Sequence, residues 1–273
     1  MRRITTRRFG LFSLLMGAAA TGCAGMTSVA QATSAVSEGH APRISIPGPL
    51  GSSRKTPCNQ PWTSSNWSGY AVNCATFTSV TGSWTVPSVN APHAENAFQY
   101  SSTWVGIDGF DRGDDNLIQA GTEQDWMGGT ASYQAWWEIL PAAETPIPSI
   151  TVHPDDVMTV SITKGSPNWT ITVTDTTTHQ SFTTKKAYAG PQSSAEWIQE
   201  APTVGGSIAS LAHDSPVVFE GLTADATSPG LTSSNAGKMV KGRKVISIPS
   251  APNATGDGFT VAFGKTAPPP PPG

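Results

Sequence analysis

The chain has 273 residues and carries 16 lysines and arginines against 19 aspartates and glutamates, which gives a formal net charge of −3 at pH 7. This balance excludes the basic surface that binding to nucleic acid or to an anionic membrane requires. We therefore expect no nucleic-acid partner.

The N-terminus has the layout of an export signal. Four arginines, at positions 2, 3, 7 and 8, precede an apolar run over residues 9–20, and Ala30–Gln31–Ala32 offers a cleavage site of small residues. The run is too short to cross a bilayer as an anchored helix, and the arginines at 7 and 8 indicate twin-arginine export. We expect residues 1–32 to be removed and the protein to be secreted.

Removal of the signal changes both the charge and the cysteine content. Lysine plus arginine falls from 16 to 12 while the 19 acids remain, so the formal net charge becomes −7. Cys23 leaves with the signal unless it is a lipid attachment site, which is the one route to a membrane that we expect for the mature form. Cys58 and Cys74 remain, and in an exported chain they most simply form one disulfide, with two free thiols as the alternative.

The rest of the chain divides into three parts by composition. Residues 33–60 are rich in Ser, Pro, Gly and Ala without periodicity, which is typical of a linker or a propeptide. Residues 61–265 hold nearly all the aromatic residues, and about 200 residues is an ordinary size for one all-β domain. Residues 266–273 form a proline-rich tail that we expect to be exposed.

Short runs of Val, Ile, Thr, Trp and Tyr alternate with polar residues inside the domain and are separated by turn residues. The runs are 83–86, 131–140, 156–164, 169–175, 181–185, 216–222, 244–248 and 258–263. Strands at this spacing predict an antiparallel sandwich or barrel. Residues 207–212 predict the one short helical turn.

Alternation along three segments assigns side chains to faces. In 133–141, Gln134, Trp136, Glu138 and Leu140 share one face, opposite Tyr133, Ala135, Trp137 and Ile139. Leu117 projects with Gln119, and Glu196 projects with Ile198 and Glu200. Polar and apolar groups interleaved on one face can line a substrate cleft. The alternative is that the glutamates lie on the solvent face of ordinary strands.

Five motifs then occur in a fixed order. They are NWSGYAV at 66–72, WVGIDG at 104–109, LIQAG at 117–121 followed by Asp125–Trp126, YQAWWEILP at 133–141 and AEWIQE at 195–200. In this order and spacing they resemble the glutamic peptidases, also called eqolisins or family G1. The resemblance implies a sandwich of two antiparallel sheets, similar to the concanavalin-like lectin fold. It also implies endopeptidase activity in acid.

The resemblance also implies roles for individual residues. Gln119 in LIQAG and Glu200 at the end of AEWIQE fall at the catalytic glutamine and glutamate of the family. The motif positions near the family's substrate cleft are Trp67, Trp104, Asp108, Asp125, Trp136 and Glu138. Leu140 departs from the pattern, because an aromatic residue is expected there, and this bears on one specificity pocket.

A glutamate and a glutamine together can hydrolyse an amide. Glu200 as a carboxylate would take a proton from a water that attacks the carbonyl, and would then return it to the leaving nitrogen. Gln119 would donate its side-chain N–H to the developing oxyanion. Because an amide does not titrate, the two groups would not share a proton as two carboxyls do. A glutamate with a pKa near its reference value of about 4.3 is still partly ionised in acid.

Other chemistries find less support in the sequence. The five histidines (His40, His93, His153, His179 and His213) form no HExxH pair, so we expect no metal and no other cofactor. No G-x-S-x-G elbow is present, and His213–Asp214–Ser215 is interpreted as a loop. We expect a monomer that acts on polypeptides.

A second class of function also fits the composition. Nine tryptophans beside carboxylates on an exported β-sandwich also describe a glycan-binding module or a glycoside hydrolase, in which aromatic faces stack on sugars and two acids cleave the bond. Most of the tryptophans, notably Trp84 and Trp169, are expected in the core.

Overall fold

The alternating runs form strands, as predicted, in a computed structural model that describes residues 38–42, 44, 57–92 and 97–273. The predicted export signal, Cys23 and most of the segment 33–60 lie outside the described residues. No helix among the described residues has the length and apolar character needed to cross a membrane.

The described residues form twenty strands and one short 3-10 helix. The strands are β1 Glu38–Gly39, β2 Trp62–Ser64, β3 Trp67–Asn73, β4 Ser79–Thr85, β5 Val89–Asn90, β6 Ser102–Ile107, β7 Ile118–Met127, β8 Thr130–Ile139, β9 Thr145–Pro146, β10 Val157–Lys164, β11 Trp169–Asp175, β12 Gln180–Lys186, β13 Ser194–Glu200, β14 Thr203–Val204, β15 Ser207–Ile208, β16 His213–Asp214, β17 Val217–Ala224, β18 Ala236–Lys241, β19 Lys244–Pro249 and β20 Phe259–Phe263; the helix is Ser233–Asn235.

Most of these strands belong to one hydrogen-bonded path that folds into two packed layers. Its order is β12-β11-β10-β4-β17-β20-β19-β18-β3-β13-β6-β7-β8-β9. The first six strands of this path form the outer layer. The last six, β3-β13-β6-β7-β8-β9, form what we call the cleft layer. The cleft layer packs on β4, β10, β11 and β17 of the outer layer. The pairs along the path are antiparallel, while β2 adds to β18 in parallel. The predicted antiparallel sandwich is therefore confirmed.

The core lies between the two layers. Burial alternates residue by residue along β4 and β11, as expected for strands with one face covered. Trp84, Trp169 and Trp197 are at most 2% exposed and belong to this core. The prediction that Trp84 and Trp169 are core residues is confirmed.

The predicted faces of the β8 segment are also confirmed. Ala135 packs in the main core with Tyr133, Trp137 and Ile139 at its margin, whereas Trp136 and Leu140 belong to a second apolar cluster on the opposite side.

The structure differs from the sequence prediction at residues 207–212 and in the proline-rich tail. Residues 207–212 are not helical, because Ser207–Ile208 is instead a strand paired with β14. The proline-rich tail is largely exposed, but Pro271 is buried near Gly258.

The predicted Cys58–Cys74 disulfide is present, with the two Cα atoms 5.7 Å apart. It holds the start of the domain against the end of β3.

Gly121 permits the close approach of β6 and β7. A Cβ atom at this position would lie 2.2 Å from the carbonyl oxygen of Thr103 and 2.6 Å from the Cβ of Trp104. We expect Gly121→Ala to lower the free energy of unfolding by about 1–3 kcal/mol, because the strands must separate to admit the methyl group. Denaturant titration measures this loss.

Gly39→Ala is the matched control. Its added Cβ would meet only the Thr203 carbonyl oxygen at 3.8 Å, an ordinary contact. Equal losses of stability in the two variants would contradict the close-approach explanation.

Candidate active site

The face of the cleft layer that points away from the main core, called here the cleft face, carries a second aromatic cluster. Its buried members are Trp62, Trp67, Ala71, Trp104, Phe110, Leu117, Trp136 and Ile198. Trp67, Trp104 and Trp136 reach this side from β3, β6 and β8, whereas Trp197 of β13 points into the main core. Trp67 and Trp104 meet edge to face, with ring centroids 4.8 Å apart.

Strand register arranges the polar groups of this face in rows. In one row Glu200 lies between Trp67 of β3 and Ser102 of β6, and Ser102 lies beside Glu123 of β7. Two residues further along each strand, a second row contains Trp104, Gly121 and Trp136.

A third row places Gln119 opposite Glu138 of β8 and next to Gly106 of β6. Glu196 of β13 pairs with Gly106 from the other side. Gln119 and Glu200 therefore share one face of one sheet, separated by the tryptophan row.

The carboxylate of Glu200 is completely buried and is held by the domain at both oxygens. The indole N–H of Trp104 donates to Oε2 at 2.9 Å, and the side-chain amide of Asn66 donates to Oε1 at 3.3 Å. Hydrogen bonds from N–H groups to a carboxylate stabilise its charged form. The site is thus built to keep a carboxylate in place away from bulk water.

Gln119 is bonded to a second glutamate of the cleft. Its Nε2 donates to Oε2 of Glu138 at 2.7 Å. Burial raises the pKa of Glu138 to about 7, although His40 and Gln119 act in the opposite direction. In acid, Glu138 is therefore neutral.

Three buried polar atoms near this pair have no hydrogen-bond partner within the described part of the chain. They are Oε1 of Gln119, Oε1 of Glu138 and Nε1 of Trp136. Buried polar atoms are nearly always bonded in folded proteins, and a catalytic role or a bound water is among the explanations for an exception.

A short stretch of the chain itself lies across the cleft face. We call residues 38–44 the leader segment; its described residues are 38–42 and 44. The backbone N–H of Ala41 donates to Oε1 of Glu200 at 3.3 Å, and the carbonyl of Ala41 accepts from the indole of Trp67 at 3.1 Å. Further along, the N–H of Ile44 donates to Oδ1 of Asn66 at 2.9 Å. The cleft therefore already binds polypeptide backbone.

His40 of this segment contacts one aromatic ring and two carboxyl groups of the cleft. Its ring stacks on Trp136 with centroids 3.8 Å apart and an interplanar angle of 12°. Nδ1 is 3.2 Å from Oε2 of Glu200, and Nε2 is 3.2 Å from Oε2 of Glu144. Burial alone would lower the pKa of His40, but these carboxylates raise it to about 10. The imidazole is accordingly held as a cation.

Glu144 forms a hydrogen bond with another carboxyl group, Glu123. Burial and the neighbouring Glu144 raise the pKa of Glu123 well above its ordinary value. Burial would also raise the pKa of Glu144, but hydrogen bonds from His40 and Glu123 outweigh it and lower that pKa. Two carboxyls in contact share a proton, so Glu123 is the protonated partner and Glu144 the charged one.

The same three groups meet the distance requirement for a metal ion. His40, Glu123 and Glu144 offer ligand atoms within 4.8 Å of one another. A metal requires a neutral imidazole and deprotonated carboxyls, whereas here the imidazole is a cation and Glu123 holds a proton. The chemistry of this cluster fits an ion pair better than a metal centre.

Four of the predicted substrate residues, Trp67, Trp104, Trp136 and Glu138, lie on the cleft face with Gln119 and Glu200. Two others have structural partners. Asp108, at the end of β6 with a φ of 75°, accepts hydrogen bonds from the Tyr188 hydroxyl at 2.6 Å and the Ser193 backbone N–H at 2.7 Å. Asp125 accepts from the backbone N–H of Ser101 at 3.3 Å. Leu140 packs beside the tryptophan cluster, where the motif predicts an aromatic residue.

Four site residues were not predicted from the sequence. Asn66 stands directly before Trp67 in the first motif, and Glu123 follows Gln119 by four residues on the same strand face, so both signals were available. His40 and Glu144 lie in segments without periodicity, where no pattern identifies them. Asn66 also begins an Asn-Trp-Ser glycosylation pattern, but its buried, bonded amide leaves no space for a glycan.

Residues 65–260 match the model of the peptidase A4 family. Aspergillopepsin-2 of Aspergillus niger is 30% identical over 224 residues, which are 73% of this chain and 78% of that protein. Scytalidopepsin B of Scytalidium lignicola is 30% identical over 141 residues, 50% of this chain and 51% of that protein.

A solved structure agrees with these relatives at the level of the fold. The crystal structure of scytalido-glutamic peptidase with a transition state analog inhibitor aligns with a TM-score of 0.61 at 20% identity, over 73% of this chain and 98% of that one.

The fold and the ordered motifs thus define a glutamic peptidase. With the family match over residues 65–260, the chain belongs to the peptidase A4 family, the eqolisins predicted from its motifs, and it is a hydrolase of peptide bonds. The alternative of a glycan-binding module or glycoside hydrolase has no support from these relatives.

Buried carboxyls make the stability of the fold depend on pH. Burial raises the pKa of Glu138 to about 7, that of Asp214 to about 8, and that of Glu196 well above its ordinary value. A raised folded-state pKa means that the folded protein binds the proton more tightly than the unfolded chain. This stabilisation is complete below the unfolded-state pKa of about 4 and is lost as the pH rises through 7 and 8.

We expect the free energy of unfolding to fall between about pH 4 and pH 8, as measured by denaturant titration at each pH. In Glu196→Gln, a neutral amide replaces the neutral acid, so the fall should be shallower by about 1–3 kcal/mol. Glu220→Gln, at an exposed position, serves as the control. A flat profile in the wild type would contradict the assignment of these groups as protonated.

Proposed function

We propose that the chain is a secreted endopeptidase active in acid, in which Glu200 is the general base and then the general acid, and Gln119 stabilises the oxyanion. The observation that carries this proposal is the contact between Glu200 and peptide backbone. A stretch of polypeptide lies across the cleft with one of its N–H groups 3.3 Å from the Glu200 carboxylate.

Glu200 would act on a water molecule in the position that His40 and Ala41 now cover. Trp104 and Asn66 would keep the carboxylate oriented while it accepts a proton from the attacking water. It would then deliver that proton to the leaving nitrogen, so the carboxylate is regenerated. Gln119 carries two N–H donors on Nε2, of which Glu138 uses one, so one remains for the oxyanion.

Glu138 fits an acidic working range. Its carboxyl interacts electrostatically with Glu200, and two charged carboxylates close together would raise each other's pKa. With a pKa of about 7, Glu138 is neutral in acid. Glu200 would then act beside an amide, Gln119, and a neutral acid, Glu138.

We also propose that the part of the segment 33–60 that precedes Cys58 is a propeptide, and that the leader segment within it covers the active site until maturation. The segment pairs as β1 with β14 and uses both oxygens of Glu200. The Cys58–Cys74 disulfide requires the releasing cut to precede Cys58.

The catalytic roles predict a specific pattern of activity. With denatured protein as substrate in acid, Gln119→Ala should lower kcat by about 10²–10³-fold, because one oxyanion donor is lost. Glu200→Gln should lower kcat by about 10²–10⁴-fold, because the proton acceptor is lost. Glu220→Gln is the control for loss of an exposed glutamate. Full activity in folded preparations of both active-site variants would overturn the mechanism.

The leader segment predicts delayed activity. A chain that begins near residue 33 should show a lag in acid, during which it shortens to a species beginning before Cys58, as followed by mass spectrometry and peptide cleavage. His40→Ala should shorten the lag because the stacked cation is lost. If the unshortened wild-type chain cleaves at the final rate from the first time point, the leader does not block the site.

A further inference from the structure

A pocket for a positively charged side chain lies next to the proposed catalytic carboxylate. Trp136 forms its floor and Glu144 one wall, and Glu200 closes the opposite side. His40 fills it, with no exposed side-chain surface and with both ring nitrogens paired to carboxylates. The pocket therefore has the shape and charge to hold a flat cation.

We propose that Trp136 and Glu144 form a substrate subsite that selects a cationic side chain, histidinium, lysine or arginine, beside the bond to be cut. This inference rests on the proposed function, because it takes the leader segment as an occupant of the substrate cleft. The backbone of the segment already contacts Glu200 through Ala41. A substrate residue at the position of His40 presents its side chain to Trp136 and Glu144.

Three physical effects favour a cation in this pocket. The face of a tryptophan ring attracts positive charge. Glu144 supplies a charged acceptor for an N–H donor at 3.2 Å, and charge-assisted hydrogen bonds are stronger than neutral ones. A neutral apolar side chain would leave the Glu144 carboxylate partly buried without a partner, which costs free energy.

Glu123 acts on this pocket through Glu144 and is a positioning residue. Its carboxyl keeps the shared proton and donates a hydrogen bond to Glu144. Glu144 therefore stays negatively charged beside the cation. A neutral amide at position 123 can donate in the same way. A neutral amide at position 144 cannot supply the charge.

Matched peptide substrates test the subsite. The mature enzyme is given peptides that differ at one position near the cut, with Lys, Arg or His against Gln or Leu, in acid, where histidine is a cation. We expect one position at which the wild type prefers the cation by about 10-fold in kcat/KM. Glu144→Gln should reduce that ratio to about 1, and Glu123→Gln should preserve it.

A second measurement uses a synthetic peptide of residues 38–44 as a competitor. The peptide with His40 should inhibit the wild type about 10-fold more strongly than the His40→Ala peptide, and Glu144→Gln should remove the difference. Cleavage without a cation preference at any position, or a preference that survives Glu144→Gln, overturns the subsite and leaves the peptidase proposal intact. Absence of cleavage by the wild type overturns the proposed function itself, and the subsite with it.

Discussion

The buried carboxylate of Glu200 is the interaction on which the rest of the site depends. An ionised carboxylate away from water is costly unless hydrogen bonds compensate for the lost solvation. Trp104 and Asn66 supply those bonds from β6 and from the start of β3. Their positions are fixed by the strand register on either side of β13. The sandwich fold therefore acts as a frame that holds one charge on the cleft face.

The same constraint explains why the cleft tends to acquire a cation. Glu123, Glu138, Glu144 and Glu200 converge on one region, and the protein limits their repulsion by keeping two of them protonated. His40 bonds to the other two, Glu144 and Glu200, one through each ring nitrogen. Occupation by the leader segment, the protonated state of Glu138 and the proposed subsite are thus three consequences of one concentration of carboxyl groups.

Much of the fold and part of the site could be predicted from the sequence. Period-two alternation located β8 and β11, and it placed Gln119, Glu138 and Glu200 each on the same face as apolar residues of its own strand, because side chains alternate strictly along a strand. Alternation carries no information about which strands become neighbours, so it could not bring Glu123 beside Glu144. His40 lies in a segment without periodicity, and its role comes from contact with residues more than 100 positions away. The prediction of a helical turn at 207–212 was wrong because strand pairing with β14 overrides the weak local preference for a helix.

The central claim is that Glu200 and Gln119 act on the same reacting carbonyl. A crystal structure of the mature chain in acid, with a peptide analogue bearing a tetrahedral hydroxyl group, tests it most directly. The account predicts the Glu200 carboxylate and the Gln119 amide within hydrogen-bond distance of that tetrahedral centre, with the leader segment displaced. A tetrahedral group bound away from Glu200, or a Gln119 amide that reaches only Glu138, would contradict it.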